Sequence, residues 1–114
     1  MAYEETLMDH LGWPSALTEY VKKPDGSLKP EDIEPDTKCD LGKWVHEAAA
    51  KPAAPPAYSA LKEAHAKYHR ATAAVVRQAD DGTLPADALA DTGAFKQSLV
   101  QFLAVLVPMS GDIP

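Results

Sequence analysis

Three observations predict an all-α protein, folded as a four-helix bundle with a kinked first helix and a single buried metal site. Apolar residues recur at helical spacing, and no stretch alternates with period two. Nearly all of the ten prolines fall between the periodic segments, as they do in helices joined by defined loops. Three histidines and the single cysteine fall at inward or helix-start positions. Four amphipathic segments with short connections bury their stripes most simply against one another.

The first segment runs from about residue 4 to 21, with Leu7, His10 or Leu11, Leu17, Tyr20 and Val21 in its stripe. Pro14 lies inside it and removes a backbone donor, so the helix should kink or split near Trp13. The second runs from about 39 to 50, with Leu41, Trp44 and Val45 facing inward. Asp36 or Thr37 is placed to cap it. The third and longest covers about 57–79, on Tyr58, Leu61, His65, Tyr68, Thr72, Val75 or Val76, and Ala79; Ser59 lies in its first turn. The fourth begins at about 86 or 91 and ends near 107, with Phe95, Leu99, Phe102 and Leu106 in line and Leu103 alongside.

A chain of 114 residues, 46% hydrophobic and 25% charged, has the size and balance of one globular domain, taken as 1–114. Eleven basic against seventeen acidic residues leave a net charge of −6, which argues against nucleic acid and anionic membrane surfaces as partners. The most apolar run, Phe102 to Met109, is broken by Pro108 and falls far short of the roughly 20 residues of a membrane span. The acidic start (Glu4, Glu5, Asp9) has no basic region ahead of an apolar one, so no secretory signal is expected. With one cysteine and no intrachain disulfide, a cytoplasmic location with Cys39 as a free thiol or metal-bound thiolate is the expectation.

His65 and His69, four residues apart on one helix, aim two imidazoles at one point. His10 and Cys39 come from two other segments. Three imidazoles and one thiolate suit a tetrahedral zinc ion. The pair alone is a weak signal, and position 66 is Ala where a zinc peptidase carries its glutamate base. The competing readings are a helical interaction domain whose histidines are core or surface groups, and, less favoured, a metal-dependent hydrolase. A haem site is weaker again, because four convergent ligands leave no room for a macrocycle.

The segment Cys39-Asp40-Leu41-Gly42-Lys43-Trp44 resembles the C-x-L-G-x-W signature of the chemoreceptor zinc-binding (CZB) domain. His65-Ala66-Lys67-Tyr68-His69 resembles that family's H-x-x-[FY]-H element, and His10-Leu11-Gly12-Trp13 its H-x-x-W opening. Phe95 three residues before Ser98 is similar to the family's closing helix. The resemblance implies a four-helix bundle holding one Zn2+ through His10, Cys39, His65 and His69, and a regulatory role rather than an enzymatic one. It implies coupling of zinc availability, or of oxidation of the zinc-bound thiolate, to bacterial signalling of the chemotaxis or cyclic-di-GMP type. The implied partners are a chemoreceptor, a diguanylate cyclase or a second copy of the chain. Pro14 departs from the family's pattern, and no methyl-accepting helix or cyclase motif is present.

Around the ligands, Trp13, Gly42, Trp44 and Tyr68 read as core first and as walls of the site second. Gly42 should permit close approach of a helix. His46 matches no family ligand and reads as a surface residue. Asp36 and Asp40 read as solvated or capping residues, either of which can accept an N–H from a ligand histidine.

Overall fold

The computed structural model describes residues 2–114 and is helical, with no strand among them. Its mast is the helix of residues Pro56–Asp81, α5 in chain order. Pro56 occupies the first turn, where a missing N–H costs nothing. Gly82, at φ 72°, ends the helix in a left-handed cap, with Thr83 N–H donating to the Gln78 carbonyl at 2.9 Å. The buried residues Leu61, His65, Tyr68, Thr72, Val76 and Ala79 recur every three or four positions along it. Against this stripe pack α2 (Trp13–Tyr20), α3 (Pro30–Ile33), α4 (Asp40–Ala49) and α6 (Ala94–Leu106). A short 3-10 turn, Val107–Met109, closes the chain's last helix.

All four expected segments are helical, with three differences. The first is two helices, α1 (Tyr3–Leu11) and α2, meeting at Gly12. The backbone stays right-handed there (φ −73°, ψ −20°), so the break lies in the hydrogen-bond ladder. Pro14 cannot donate to the carbonyl of His10. The hydroxyl of Tyr68 donates to that carbonyl instead, at 2.8 Å. The second difference is α3, a single turn opened by Pro30 within the connection between the first and second expected segments. The third is that α6 begins at Ala94, not at 86 or 91. Residues 85–93 form consecutive turns (Ala88 N–H to Pro85, Ala90 to Asp87, Gly93 to Ala90), while Leu84 and Leu89 settle on the core.

The core is one cluster, in which Leu17, Leu41, Val45, Leu61, Tyr68, Val76, Phe95, Phe102 and Leu106 are buried. Leu7, Leu11, Val21, Trp44, Tyr58 and Leu103 are half-buried at its margin. Tyr68 stacks on Phe102 with centroids 5.4 Å apart and ring planes 17° from parallel. This aromatic floor joins α5 to α6 beneath the break between α1 and α2.

Tyr68→Phe leaves the buried His10 carbonyl without a donor and should cost about 1–3 kcal/mol. Adding Pro14→Ala supplies an N–H to that carbonyl, so the double variant should regain part of the loss. Urea unfolding of the four proteins measures both effects.

Candidate metal centre

His10 comes from the last turn of α1, His65 and His69 from the middle of α5, and Cys39 from the residue that caps α4. Four ligand atoms, from two helices and the capping residue of a third, meet at one point. The Nε2 atoms stand 2.9 Å (His65–His69), 3.1 Å (His10–His65) and 3.4 Å (His10–His69) apart. Cys39 Sγ lies 3.2, 3.8 and 3.7 Å from Nε2 of His65, His10 and His69. Usual zinc bond lengths in a regular tetrahedron require edges of about 3.3 Å between nitrogens and about 3.6 Å from nitrogen to sulfur. All six observed edges lie within half an ångström of those lengths.

Proton positions follow from the partners. His10 Nδ1 faces the Thr6 carbonyl at 2.7 Å, and His69 Nδ1 faces the Ile33 carbonyl at 2.7 Å. A carbonyl only accepts, so both rings carry their proton on Nδ1 and present bare lone pairs at Nε2. His65 Nδ1 is buried without a partner. A proton on His65 Nε2 can serve one neighbouring lone pair at a time, whereas a cation at the centre serves all three rings and the sulfur. The donor set therefore fits a metal ion.

The surroundings keep these groups neutral. Burial lowers the pKa of His10 and His69, and burial together with the facing imidazoles takes His65 down to about 2. Burial also raises the Cys39 thiol, with the nearby Asp36 charge adding to that shift. The three histidines are at most 3% exposed, while Cys39 is half-buried. Cys39 lines a cleft of about 40 Å³ with Glu5, Thr6, Asp9 and Asp40.

Trp13 packs on His10 at 5.1 Å and stands edge-on to His69 at 4.8 Å. Phe102 covers His10 and His65 from the other side, at 5.2 and 5.7 Å. Trp44 instead pairs with Tyr58, at 5.4 Å. Gly42 is tightly constrained: a Cβ there would lie 1.5 Å from the Asp36 carbonyl oxygen and 3.2 Å from His65 Cε1. It admits the loop backbone at Asp36 and also sits close against His65 of α5. The helix cap also differs from both candidates, since Cys39 Sγ accepts the Gly42 N–H at 3.4 Å.

Two further corrections concern charged neighbours. Backbone carbonyls, not Asp36 or Asp40, orient His10 and His69. His46 is not a free surface group: its Nε2–H donates to Asp36 Oδ2 at 2.8 Å. Sequence patterning missed the Ile33 carbonyl and the Phe102 wall, because each is a tertiary contact between distant segments; the Thr6 carbonyl is one turn before His10 on α1 and was missed because the ring's rotamer decides that contact.

A helical bundle with a buried three-histidine, one-cysteine cluster belongs to the class of metal-binding helical domains. The family model for the chemoreceptor zinc-binding domain matches residues 10–76, more than half of the chain, and the protein belongs to that family. No curated protein and no solved structure matches the chain. No helix among the described residues is long and apolar enough to cross a membrane.

Free histidine takes up its proton near pH 6.5, whereas His65 resists until about 2. Between these values the unfolded chain binds more protons, so the contribution to stability is complete above pH 6.5 and is lost as pH falls. His10 and His69 shift in the same direction. Metal-free protein should lose about 1.4 kcal/mol per pH unit for each histidine still neutral in the fold. Urea midpoints at neutral pH and in mildly acidic buffers check the slope, and a flat profile contradicts it.

Proposed function

We propose that residues 1–114 form one regulatory zinc-binding module that holds a single Zn2+ through His10, Cys39, His65 and His69. The observation that carries this reading is the set of six near-tetrahedral edges among four side chains, three on helices and one on the loop ahead of α4. Membership of the zinc-binding family supports the choice of metal, as does the mix of three imidazoles with one thiolate. Four protein ligands leave no open position for a water, so the site is suited to sensing and stability rather than to hydrolysis.

The input is zinc availability or oxidation of Cys39. Burial raises the thiol's pKa, and bound zinc would hold it as thiolate. A peroxide then transfers OH to the sulfur, releasing hydroxide and leaving a sulfenic acid, which is a poorer ligand. Loss of either the ion or the thiolate frees the Cys39 loop and loosens the bundle locally, around that loop. The output passes to a chemoreceptor, a diguanylate cyclase or a second copy of the chain, in the cytoplasm. Family membership supports this placement.

Native mass spectrometry of the purified chain and of Cys39→Ala tests the reading. One zinc per chain, lost or made labile in the variant, is expected. No zinc after reconstitution overturns the reading and leaves a helical interaction domain.

His65→Gln and His69→Gln should each remove most of the zinc-dependent rise in melting temperature. If the histidines are merely core residues, the melting temperature does not respond to zinc in the parent either.

A further inference from the structure

The cysteine ligand differs from the histidines in its support. The histidines stand on helices, while Cys39 ends the segment that follows α3. What holds that segment is written at spacings of three, three and four residues: Asp36, Cys39, Gly42, His46. Gly42 and His46 lie one turn apart on α4. Asp36 meets both of them. Its carbonyl oxygen occupies the space of the missing Gly42 side chain. Its carboxylate accepts the His46 Nε2–H at 2.8 Å, with side-chain exposures of 20% for Asp36 and 34% for His46. The same Asp36 carbonyl lies 3.8 Å from Cys39 Sγ, which in turn accepts the Gly42 N–H at 3.4 Å.

Gly42 leaves room for Asp36 but does not grip it. The carboxylate is the only side-chain attachment that Asp36 makes, and His46 is its partner. Arg77 holds Glu34 through two hydrogen bonds, at 2.8 and 3.1 Å, but that anchor lies five residues before the cysteine. Lys38, beside the cysteine, reaches back only to Asp32 on α3, at 3.5 Å between exposed side chains. Between Glu34 and Cys39, the Asp36–His46 bond is the side-chain tie to α4.

We propose that His46 is a positioning residue for the metal centre: by clamping Asp36 to α4, it fixes the loop that delivers the Cys39 sulfur to the three histidines. The inference rests on the zinc reading above.

The test uses the full chain, with His46→Ala, Asp36→Ala, their combination and His46→Gln. Three quantities are read: zinc release into excess chelator, alkylation of metal-free Cys39 by iodoacetamide, and melting of the metal-free protein. His46→Ala should speed zinc release by about tenfold, the low end for residues that support a metal ligand. It should speed alkylation several-fold and leave metal-free melting nearly unchanged. Asp36→Ala should match it, and the double variant should be no worse than either single one, because the two residues act through one bond. His46→Gln, which keeps an N–H near the Nε2 position, should restore slow release. Wild-type release and alkylation in His46→Ala overturn the proposal, as do additive effects in the double variant or a fall in metal-free melting that matches the whole effect. If the parent takes up no zinc, the functional reading fails, while the alkylation series still judges the clamp.

Discussion

The structure is organised around acceptors that face each other in a dry core. Two imidazoles are held with their protons turned outward, onto the carbonyls of Thr6 and Ile33, and so present lone pairs at a separation of 3.4 Å. Buried lone pairs without a positive centre are costly. Much of the surrounding architecture sets this arrangement. The Ile33 carbonyl is free for His69 because it ends a one-turn helix, where terminal carbonyls have no helical partner. The His10 carbonyl is free for Tyr68 because Pro14 breaks the ladder at that point. Short α3 and the split of the first helix thus belong to the site as much as to the fold.

His65 is the exception among the ligands. Its Nδ1 has no acceptor, so nothing outside the cluster decides which nitrogen carries the proton. With the proton on Nε2, the ring hydrogen-bonds to a neighbouring imidazole. With Nε2 facing a cation, the proton moves to Nδ1 and has no partner. The first arrangement satisfies His65 but leaves lone pairs opposed; the second resolves the lone pairs at the cost of one orphaned N–H. An unsatisfied buried donor costs about 1–3 kcal/mol, small beside the roughly 10–16 kcal/mol of structural zinc binding. His65 lowers the affinity without reversing the preference, and it gives the metal-free cluster a hydrogen-bonded alternative.

Much of this was legible in the residues. Helical spacing on α5 placed Leu61, His65, Tyr68 and Thr72 on one buried face, because a long, strongly periodic helix leaves little choice of orientation. The four clustered side chains were legible because their types are uncommon and their positions inward. Chain ends and local turns were not. Residues 85–93 have helix-forming alanines, but Pro85 and Gly93 bound a string of turns in which Leu89 packs on the core. His46 was misread because its partner depends on where the loop through Asp36 runs, and that path is set by the absence of a Cβ at Gly42. Gly42 was noticed as permissive; what it permits is visible only in three dimensions.

Unequal support of the ligands gives the centre a direction of failure. His65 and His69 share one rigid helix and cannot move apart without unfolding α5. His10 is held at both ends, by its ring on Thr6 and by its carbonyl on Tyr68, beneath Trp13 and Phe102. Cys39 is half-buried, borders a cleft, and sits on a loop tied by side chains at Glu34, Asp36 and Lys38. On the zinc reading, an event that weakens the bond to sulfur would release the segment between α3 and α4 before it disturbs the aromatic floor. The helices that carry the histidines remain packed, so the altered surface is local, and reforming the site requires one loop to return rather than the whole bundle to refold. A reversible switch needs that asymmetry: three ligands that stay and one that leaves.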